Sequence, residues 1–121
     1  MIKIFGNNTL HTIILAAGEG KRLKPLTQDK PKCLINLFGK NLLQHQLDVY
    51  DGCNINDISI VTGYKKDMIK FSNTFSFHNL NYQNTNMLET LFCAQEKIID
   101  SVIVAYGDII FERKTLQALL E

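Results

Sequence analysis

Three continuous apolar runs limit the architectures open to this chain more than any other feature. They are Thr12–Ala16, Ile58–Val61 and Ser101–Tyr106, and a glycine follows shortly after each one. Runs without polar alternation are typical of strands buried on both faces, as in a parallel sheet. Apolar residues at helical spacing separate them, which predicts crossover helices. The sequence therefore predicts an α/β fold with a mainly parallel sheet.

The stretches between these runs predict smaller elements. They are a strand at Ile2–Phe5 with a turn at Gly6–Asn8, a long loop over Gly18–Lys32, a strand at Leu34–Leu37 with a turn at Phe38–Asn41, a helix from Leu42 to near Gly52, a short helical piece at Met68–Phe71, a strand around Phe75–Phe77, a helix over Met87–Ile99, and a last helix that holds Leu116, Leu119 and Leu120. No repeat or linker interrupts the chain, so residues 1–121 are expected to form a single domain.

Composition excludes several classes of function. The chain has 121 residues, 45% of them hydrophobic, and a net charge of +1. Near-neutral charge without an evident aromatic stacking set argues against a nucleic-acid partner. Cys33, Cys53 and Cys93 are far apart and lack metal-ligand spacing, so reduced thiols are expected. With neither a signal peptide nor a membrane span, the expected location is cytoplasmic, with no membrane partner. Whether the chain forms a homo-oligomer stays open.

The loop after Thr12–Ala16 combines glycine with positive charge. Gly18 and Gly20 would let the backbone approach a phosphate closely. Four basic side chains could then neutralise a polyphosphate: Lys21, Arg22, Lys24 and Lys32. The spacing fits neither a Walker A loop nor a dinucleotide fingerprint, because Leu23 stands where the latter needs its third glycine. Taken alone, the two glycines suit an ordinary turn equally well.

The longer string L-A-A-G-E-G-K-R-L-K-P-L-T-Q-D-K-P-K-C-L, from Leu15 to Leu34, is more specific. It resembles the opening motif of the NTP-transferase family, L-A-A-G-x-G-[ST]-R-[LM]-x-P-x-T-x-x-x-P-K-x-[LM]. That family includes sugar-1-phosphate nucleotidylyltransferases and phosphocholine cytidylyltransferases. Only Lys21 departs from the fixed positions, and this change adds a charge beside the phosphates. The resemblance implies a Rossmann-like three-layer α/β/α fold of the GT-A/nucleotidyltransferase type.

The resemblance also implies roles for individual residues. Arg22 would bind the triphosphate and stabilise the pyrophosphate leaving group, and Lys32 would bridge the α-phosphate and the attacking oxygen. These two are the expected catalytic residues, since nucleotidyl transfer depends mainly on positioning and charge neutralisation. The expected nucleotide-binding residues are Leu15, Ala16, Ala17, Gly18, Glu19, Gly20, Lys21, Arg22, Gln83, Thr85 and Asn86.

Asp108 follows the third apolar run, where an Asp after a Gly is often only a turn former. In the resembled family, an Asp at this strand end binds Mg²⁺, which makes Asp108 the expected metal ligand and Mg²⁺ the expected cofactor. Asn86, Thr90 and Leu91 match the N-x-x-x-[ST]-L pattern of the cytidylyltransferase branch. Helix capping by Thr85 or Asn86 explains the same residues. Gln83 fits the sugar-phosphate branch, but no glycine follows it.

The expected function is Mg²⁺-dependent transfer of a nucleotidyl group, with CMP from CTP favoured, onto a phosphorylated small molecule. Pyrophosphate would be released, and the acceptor would be a phosphocholine-like, phosphonate or other capsule or lipid head-group precursor. Transfer of UMP or dTMP to a sugar 1-phosphate is the alternative within the enzyme class. Family members continue past residue 121 with acceptor-binding strands and a second metal-binding Asp. The fold is therefore expected to be incomplete at its C-terminus, and a non-catalytic nucleotide-binding module is the alternative outside that class.

Overall fold

The structure is a computed structural model that describes residues 1–4 and 10–121. Its strands are β1 (Ile2–Ile4), β2 (Leu10–Ala16), β3 (Asn36–Leu37), β4 (Lys40–Asn41), β5 (Ile58–Thr62), β6 (Phe75–His78) and β7 (Ser101–Tyr106). Its α-helices are α1 (Leu42–Gly52), α2 (Met87–Phe92) and α3 (Arg113–Leu120). Short 3₁₀ turns lie at Lys21–Leu23, Lys32–Leu34, Lys66–Met68, Tyr82–Asn84 and Gln95–Lys97. The predicted turn at Gly6–Asn8 and the predicted strand end at Phe5 lie outside the described residues.

The central sheet confirms the predicted parallel arrangement. Its strand order is β1-β7-β2-β5-β6, with β2 parallel to both β5 and β7, and β5 parallel to β6. Among the strands of this sheet that the structure describes, only β1 runs antiparallel, on the outer side of β7. The three apolar runs of the sequence are therefore the three central strands, which explains why they lack polar alternation.

Side chains of the central strands alternate between two separate hydrophobic layers. Ile14 of β2 belongs to the layer that also contains Leu43 of α1 and Leu116 of α3. Its neighbour Ile13 belongs to the other layer, against which Leu91 of α2 packs. Helices therefore cover both faces of the sheet, as the predicted three-layer fold requires. In the part of the chain that the structure describes, no helix combines the length and apolar character needed to cross a membrane.

Four local predictions are wrong in extent. The strand expected at Leu34–Leu37 begins at Asn36, and the helical piece expected at Met68–Phe71 is a 3₁₀ turn at Lys66–Met68. The helix expected over Met87–Ile99 ends at Phe92, and a 3₁₀ turn follows at Gln95–Lys97. Ala94 is fully buried in the hydrophobic layer that contains Ile13, so tertiary packing overrides the helical spacing at this point. The turn expected at Phe38–Asn41 belongs to a hairpin of β3 and β4, with Phe38 and its following glycine both at positive φ.

The path of the chain leaves a crevice between β2 and β7. From β2 the chain passes through α1 to β5, whereas from β6 it passes through α2 to β7, on the other side of β2. Connections that diverge in this way create a gap outside the carboxyl ends of the two strands, where open α/β sheets bind ligands. The loop after β2 and Asp108 after β7 both begin at this gap.

Candidate active site

A cavity of about 310 Å³ occupies the crevice at the carboxyl ends of β2 and β7. It is lined by Leu15, Ala16, Ala17, Gly18, Gly20, Lys32, Cys33, Tyr82, Thr85, Asn86, Met87, Thr90, Tyr106 and Asp108. The glycine-rich loop forms one wall, and the loop after β6 with the start of α2 forms another. Three parts of the sequence that lie far apart along the chain therefore meet around one space.

Most of the residues expected from the sequence lie together in this cavity. Leu15–Ala17, Gly18, Gly20, Lys32, Thr85, Asn86 and Asp108 all line it. Glu19, Lys21, Arg22 and Gln83 are outside the lining set, and the last three are exposed to solvent. Arg22 lies on the 3₁₀ turn directly after Gly20. Its expected role on the triphosphate therefore stays a prediction.

Thr27 fixes the shape of the glycine-rich loop from inside. Its hydroxyl donates a 2.7 Å hydrogen bond to the Gly20 carbonyl, and its side chain is fully buried. Gly20 has φ +66°, and a Cβ there would lie 2.9 Å from Thr27 Cγ2 and 3.1 Å from Lys32 Cβ. Only glycine combines this left-handed backbone with such close packing. Tyr64 adds a second support, because its hydroxyl donates to the Thr27 carbonyl at 3.0 Å.

Replacing Thr27 with Val should lower the free energy of unfolding by about 0.5–1.5 kcal/mol, because the Gly20 carbonyl loses one of its two donors and keeps the Leu23 N–H at 2.9 Å, while the side-chain volume is kept. Urea denaturation followed by circular dichroism measures this change. Thr115→Val is the matched control, since Thr115 is exposed on α3. Equal stability of the two variants would show that the Thr27 hydrogen bond contributes nothing.

Lys32 and Asp108 form an ion pair across the cavity. The Lys32 Nζ lies 2.6 Å from Asp108 Oδ2, and the two side chains are 40% and 27% exposed. The pair is open to solvent, so water screens it and its contribution to stability is small. Both groups face the cavity, where a charged ligand can replace either partner. The arrangement offers one cation for phosphate and one carboxylate for a divalent metal ion.

The backbone around Asp108 is held tightly against β2. The N–H of Gly107 donates to the Leu15 carbonyl at 2.9 Å. A Cβ on Gly107 would lie 3.1 Å from Ala16 Cβ and 3.3 Å from Cys33 Cβ, so the absence of a side chain permits this close approach. The backbone contacts of Gly107 therefore fix the position of Asp108 relative to the glycine-rich loop.

A single protein carboxylate is enough for Mg²⁺, which takes one or two carboxylates and completes its shell with phosphate oxygens and water. Asp108 fits this requirement because its side chain is partly solvent-accessible and lines the cavity. Within residues 1–4 and 10–121, no group of three or more His, Cys, Asp or Glu side chains is arranged to hold a metal. A metal bound at Asp108 would therefore depend on oxygens of the nucleotide.

The sequence did not indicate the aromatic and thioether part of the cavity. Tyr82, Met87 and Tyr106 line it together with Thr90. Tyr82 packs edge-to-face on Tyr64 at 6.2 Å between ring centroids, which supports the wall that it forms. Of the two tyrosines and the methionine, only Tyr106 had a signal in the sequence, because it ends an apolar run immediately before the Gly-Asp pair.

A buried amide organises the wall that carries Thr85 and Thr90. Asn79 Nδ2 donates to Thr85 Oγ1 at 2.8 Å and to Thr90 Oγ1 at 3.0 Å. Asn86 caps α2, since its side-chain oxygen accepts from the Glu89 N–H at 3.0 Å. The capping interpretation of Asn86 is therefore confirmed, and the same residue also lines the cavity.

Cys33 should react with iodoacetamide at least about 100-fold more slowly than Cys93 at pH 8. It is 3% exposed, and burial, reinforced by the negative charge of Asp108, raises the pKa of its thiol to about 12. At pH 8 only about one Cys33 in 10⁴ is then a thiolate. Its labelling rate should still be rising at pH 10. Peptide mass spectrometry measures each cysteine separately, and similar rates at Cys33 and Cys93 would contradict the burial.

Known proteins resemble this chain in sequence and in fold. The family model described as MobA-like NTP transferase domain matches residues 12–121. The CTP:phosphoglutamine cytidylyltransferase of Campylobacter jejuni is 34% identical to this chain, with 92% of the chain and 48% of the relative covered. The choline-phosphate cytidylyltransferase of Streptococcus pneumoniae is 31% identical, with 85% and 47% covered.

A solved structure shows the same similarity at the level of the fold. The CTP:phosphocholine cytidylyltransferase from Streptococcus pneumoniae superposes with a TM-score of 0.73 at 29% identity, over 87% of this chain and 50% of that one. The chain thus spans about half the length of the curated relatives that it matches, 48% and 47%. Since the family match runs from β2 to the last helix, the chain belongs to the MobA-like NTP transferase family.

Proposed function

We propose that residues 1–121 form the nucleotide-binding unit of a cytidylyltransferase that moves CMP from CTP onto a phosphorylated small molecule. The observation that carries this proposal is the meeting of Gly18, Gly20, Lys32 and Asp108 around one cavity. This set supplies backbone donors, a cation and a carboxylate within reach of one ligand. Such a combination suits a nucleoside triphosphate with its metal better than a neutral or singly charged ligand.

In the proposed reaction, an oxygen of the acceptor phosphate attacks the α-phosphorus of CTP. A new P–O bond forms there, the bond from the α-phosphorus to the oxygen bridging to the β-phosphate breaks, and pyrophosphate leaves. Lys32 stabilises the charge shared by the α-phosphate and the attacking oxygen, while Arg22 neutralises the departing pyrophosphate. The backbone of Leu15–Gly20 holds the nucleotide in place. The protein's contribution is therefore orientation and charge neutralisation.

Asp108 is the residue proposed to hold Mg²⁺ in this reaction. When bound, Mg²⁺ neutralises phosphate charge and orients the phosphate oxygens. Lys32 Nζ contacts Asp108 Oδ2 at 2.6 Å, and release of this oxygen would make the whole carboxylate available to a metal. Release also frees the Lys32 ammonium for the α-phosphate. A single rearrangement thus prepares both groups.

The choice of CTP rests on the relatives and on the wall formed by α2. Both curated relatives described above are cytidylyltransferases. Asn86 and Thr90 of the matching pattern line the cavity, whereas Gln83, the residue that fits the sugar-phosphate branch, is exposed outside it. UTP is the competing nucleotide, because a UTP–glucose-1-phosphate uridylyltransferase of Haloferax volcanii is 30% identical over 84% of this chain.

A thermal-shift series tests the nucleotide. The chain is melted with CTP, UTP, dTTP, ATP or GTP, each with Mg²⁺ and at the same concentration. We expect the largest stabilisation from CTP, because both curated relatives described above are cytidylyltransferases. A ligand at about 100 times its dissociation constant adds about 2.7 kcal/mol to the free energy of unfolding. Stabilisation by UTP or dTTP without stabilisation by CTP would contradict the proposal.

Pyrophosphate release tests catalysis separately from binding. The chain is supplied with CTP and Mg²⁺, and with phosphocholine or glucose 1-phosphate as acceptor, while an enzyme-coupled assay detects pyrophosphate. Release that depends on phosphocholine is expected. Binding of CTP without release of pyrophosphate with either acceptor would contradict the proposed transfer by this chain and favour a nucleotide-binding module.

A further inference from the structure

A buried amide of α1 holds the segment that carries Asp108. Gln46 is 1% exposed, and its Nε2 donates to the Tyr106 carbonyl at 2.8 Å and to the Ile109 carbonyl at 3.3 Å. These two carbonyls lie on either side of Asp108 along the chain. Gln46 itself lies outside the cavity lining. It therefore contacts the backbone that carries Asp108 from outside the cavity.

Tyr50 determines which way this amide points. Its hydroxyl donates to Gln46 Oε1 at 2.8 Å from the next turn of α1. Burial raises the pKa of Tyr50, so the hydroxyl keeps its proton and remains a donor. Since the two loop carbonyls can only accept, the amide oxygen must face Tyr50 and the amide nitrogen must face the loop. Tyr50 is fully buried and packs against Phe111 at 5.7 Å between ring centroids.

Packing alone gives no reason for a polar residue at this position. Leu43 on the same helix and Leu116 on α3 are fully buried, and both belong to the hydrophobic layer that also contains Tyr50. A buried amide is costly unless its hydrogen bonds are made, and here the donor nitrogen and the acceptor oxygen are both used. With the Gly107 N–H bound to the Leu15 carbonyl, the backbone next to Asp108 is fixed at three points.

We propose that Gln46, oriented by Tyr50, is a positioning residue that sets the direction of the Asp108 carboxylate. The proposal rests on the proposed function, which gives Asp108 the metal of the metal–nucleotide complex. Gln46 contacts neither nucleotide nor metal and acts only through the backbone. Loss of its donor allows the segment to move, and the carboxylate then meets the metal with poorer geometry.

Gln46→Met tests the proposal, because it keeps the length of the side chain and removes the donor. Gln44→Met is the matched control two positions away on the half-buried side of α1, where Gln44 bonds Asp48. Leu43→Ala serves as a second control that destabilises the same helix but leaves the hydrogen bonds from Gln46 to the Asp108 segment in place. The first measurement is the affinity for CTP with Mg²⁺ and with EDTA, by titration calorimetry. The second is the alkylation rate of Cys33 without ligand.

Gln46→Met should reduce the gain in CTP affinity that Mg²⁺ provides by about 10- to 100-fold, with the affinity in EDTA unchanged. Its Cys33, which packs beside Gly107, should be alkylated at least about tenfold faster than in the unchanged chain. Tyr50→Phe should shift both values in the same direction by about two- to tenfold. Gln44→Met should change neither value.

The two controls separate positioning from general destabilisation. If Leu43→Ala lowers the Mg²⁺ gain and speeds Cys33 alkylation as much as Gln46→Met does, the role of Gln46 is structural and the proposal is overturned. If the unchanged chain binds CTP equally with Mg²⁺ and with EDTA, the metal role of Asp108 fails and with it the proposed function. In that case, faster alkylation of Cys33 in Gln46→Met than in Leu43→Ala would still show that Gln46 holds the Asp108 segment.

Discussion

Lys32→Met should weaken CTP binding in the presence of Mg²⁺ by about 10- to 100-fold, the usual loss when a charged hydrogen-bonding partner is removed. Turnover should fall further, by about 10²- to 10³-fold, because the charge on the transferred phosphate grows in the transition state. Methionine keeps most of the length and apolar stem of lysine, so the loop and its buried Thr27 should stay in place. Calorimetric titration with CTP and the pyrophosphate assay measure the two effects.

The same substitution should act in the opposite direction on metal binding without nucleotide. Lys32 lies 2.6 Å from Asp108 Oδ2 and competes with any cation for that carboxylate. Its removal should tighten binding of Mn²⁺ alone by about two- to fivefold, the range expected for a solvent-exposed ion pair. Electron paramagnetic resonance of free Mn²⁺ measures this change.

Lys30→Met is the matched control for both effects. It removes the same charge from the same loop, two residues away and outside the cavity lining. If both variants lose CTP affinity equally, the effect comes from the general positive charge of the loop. Weaker Mn²⁺ binding in Lys32→Met would contradict the competition between Lys32 and the metal.

The central strands and α1 could be predicted because each depends on local signals. An unbroken apolar run defines β2, and the capping side chain of Asn41, which accepts from the Gln44 N–H at 2.7 Å, begins α1 at the expected residue. The α2 helix was predicted too long because Ala94 follows the helical spacing while its burial depends on a strand far away in the sequence. Sequence patterns of one segment carry no information on such contacts.

The candidate site also combines residues with a local sequence signal and residues that depend on contacts far along the chain. The places of the glycine-rich loop and of Asp108 were predictable, because ligand-binding residues of a parallel sheet follow the carboxyl ends of its strands. The expected roles of Lys32 and Asp108 came from the family motif. Tyr82 and Gln46 were not predictable, since the first reaches the cavity from a 3₁₀ turn and the second acts across 60 residues of sequence. A glutamine in a helix is usually a solvent-exposed residue, and only the fold shows that this one is buried.

Asp108→Asn should remove most of the dependence of CTP binding on Mg²⁺. Loss of a partner in the outer shell of a metal costs about 10- to 100-fold in affinity, and loss of a direct carboxylate should cost at least as much. In EDTA the variant should bind CTP about two- to fivefold more tightly, because Lys32 is no longer paired with a carboxylate and is free for phosphate. The free energy of unfolding should change by less than about 1 kcal/mol, since the pair is open to solvent.

Asp29→Asn is the control for Asp108→Asn, since Asp29 is exposed on the glycine-rich loop outside the cavity lining and loses the same unit charge. It should leave the Mg²⁺ dependence unchanged. Lys32→Met and Asp108→Asn should therefore have opposite signatures. The first tightens binding of Mn²⁺ and weakens binding of CTP, whereas the second weakens binding of the metal and tightens the binding of CTP measured in EDTA. A carboxylate that merely neutralised Lys32 would give tighter CTP binding in Asp108→Asn both with Mg²⁺ and with EDTA. That result would assign Asp108 a role in charge balance and remove the metal from this strand end.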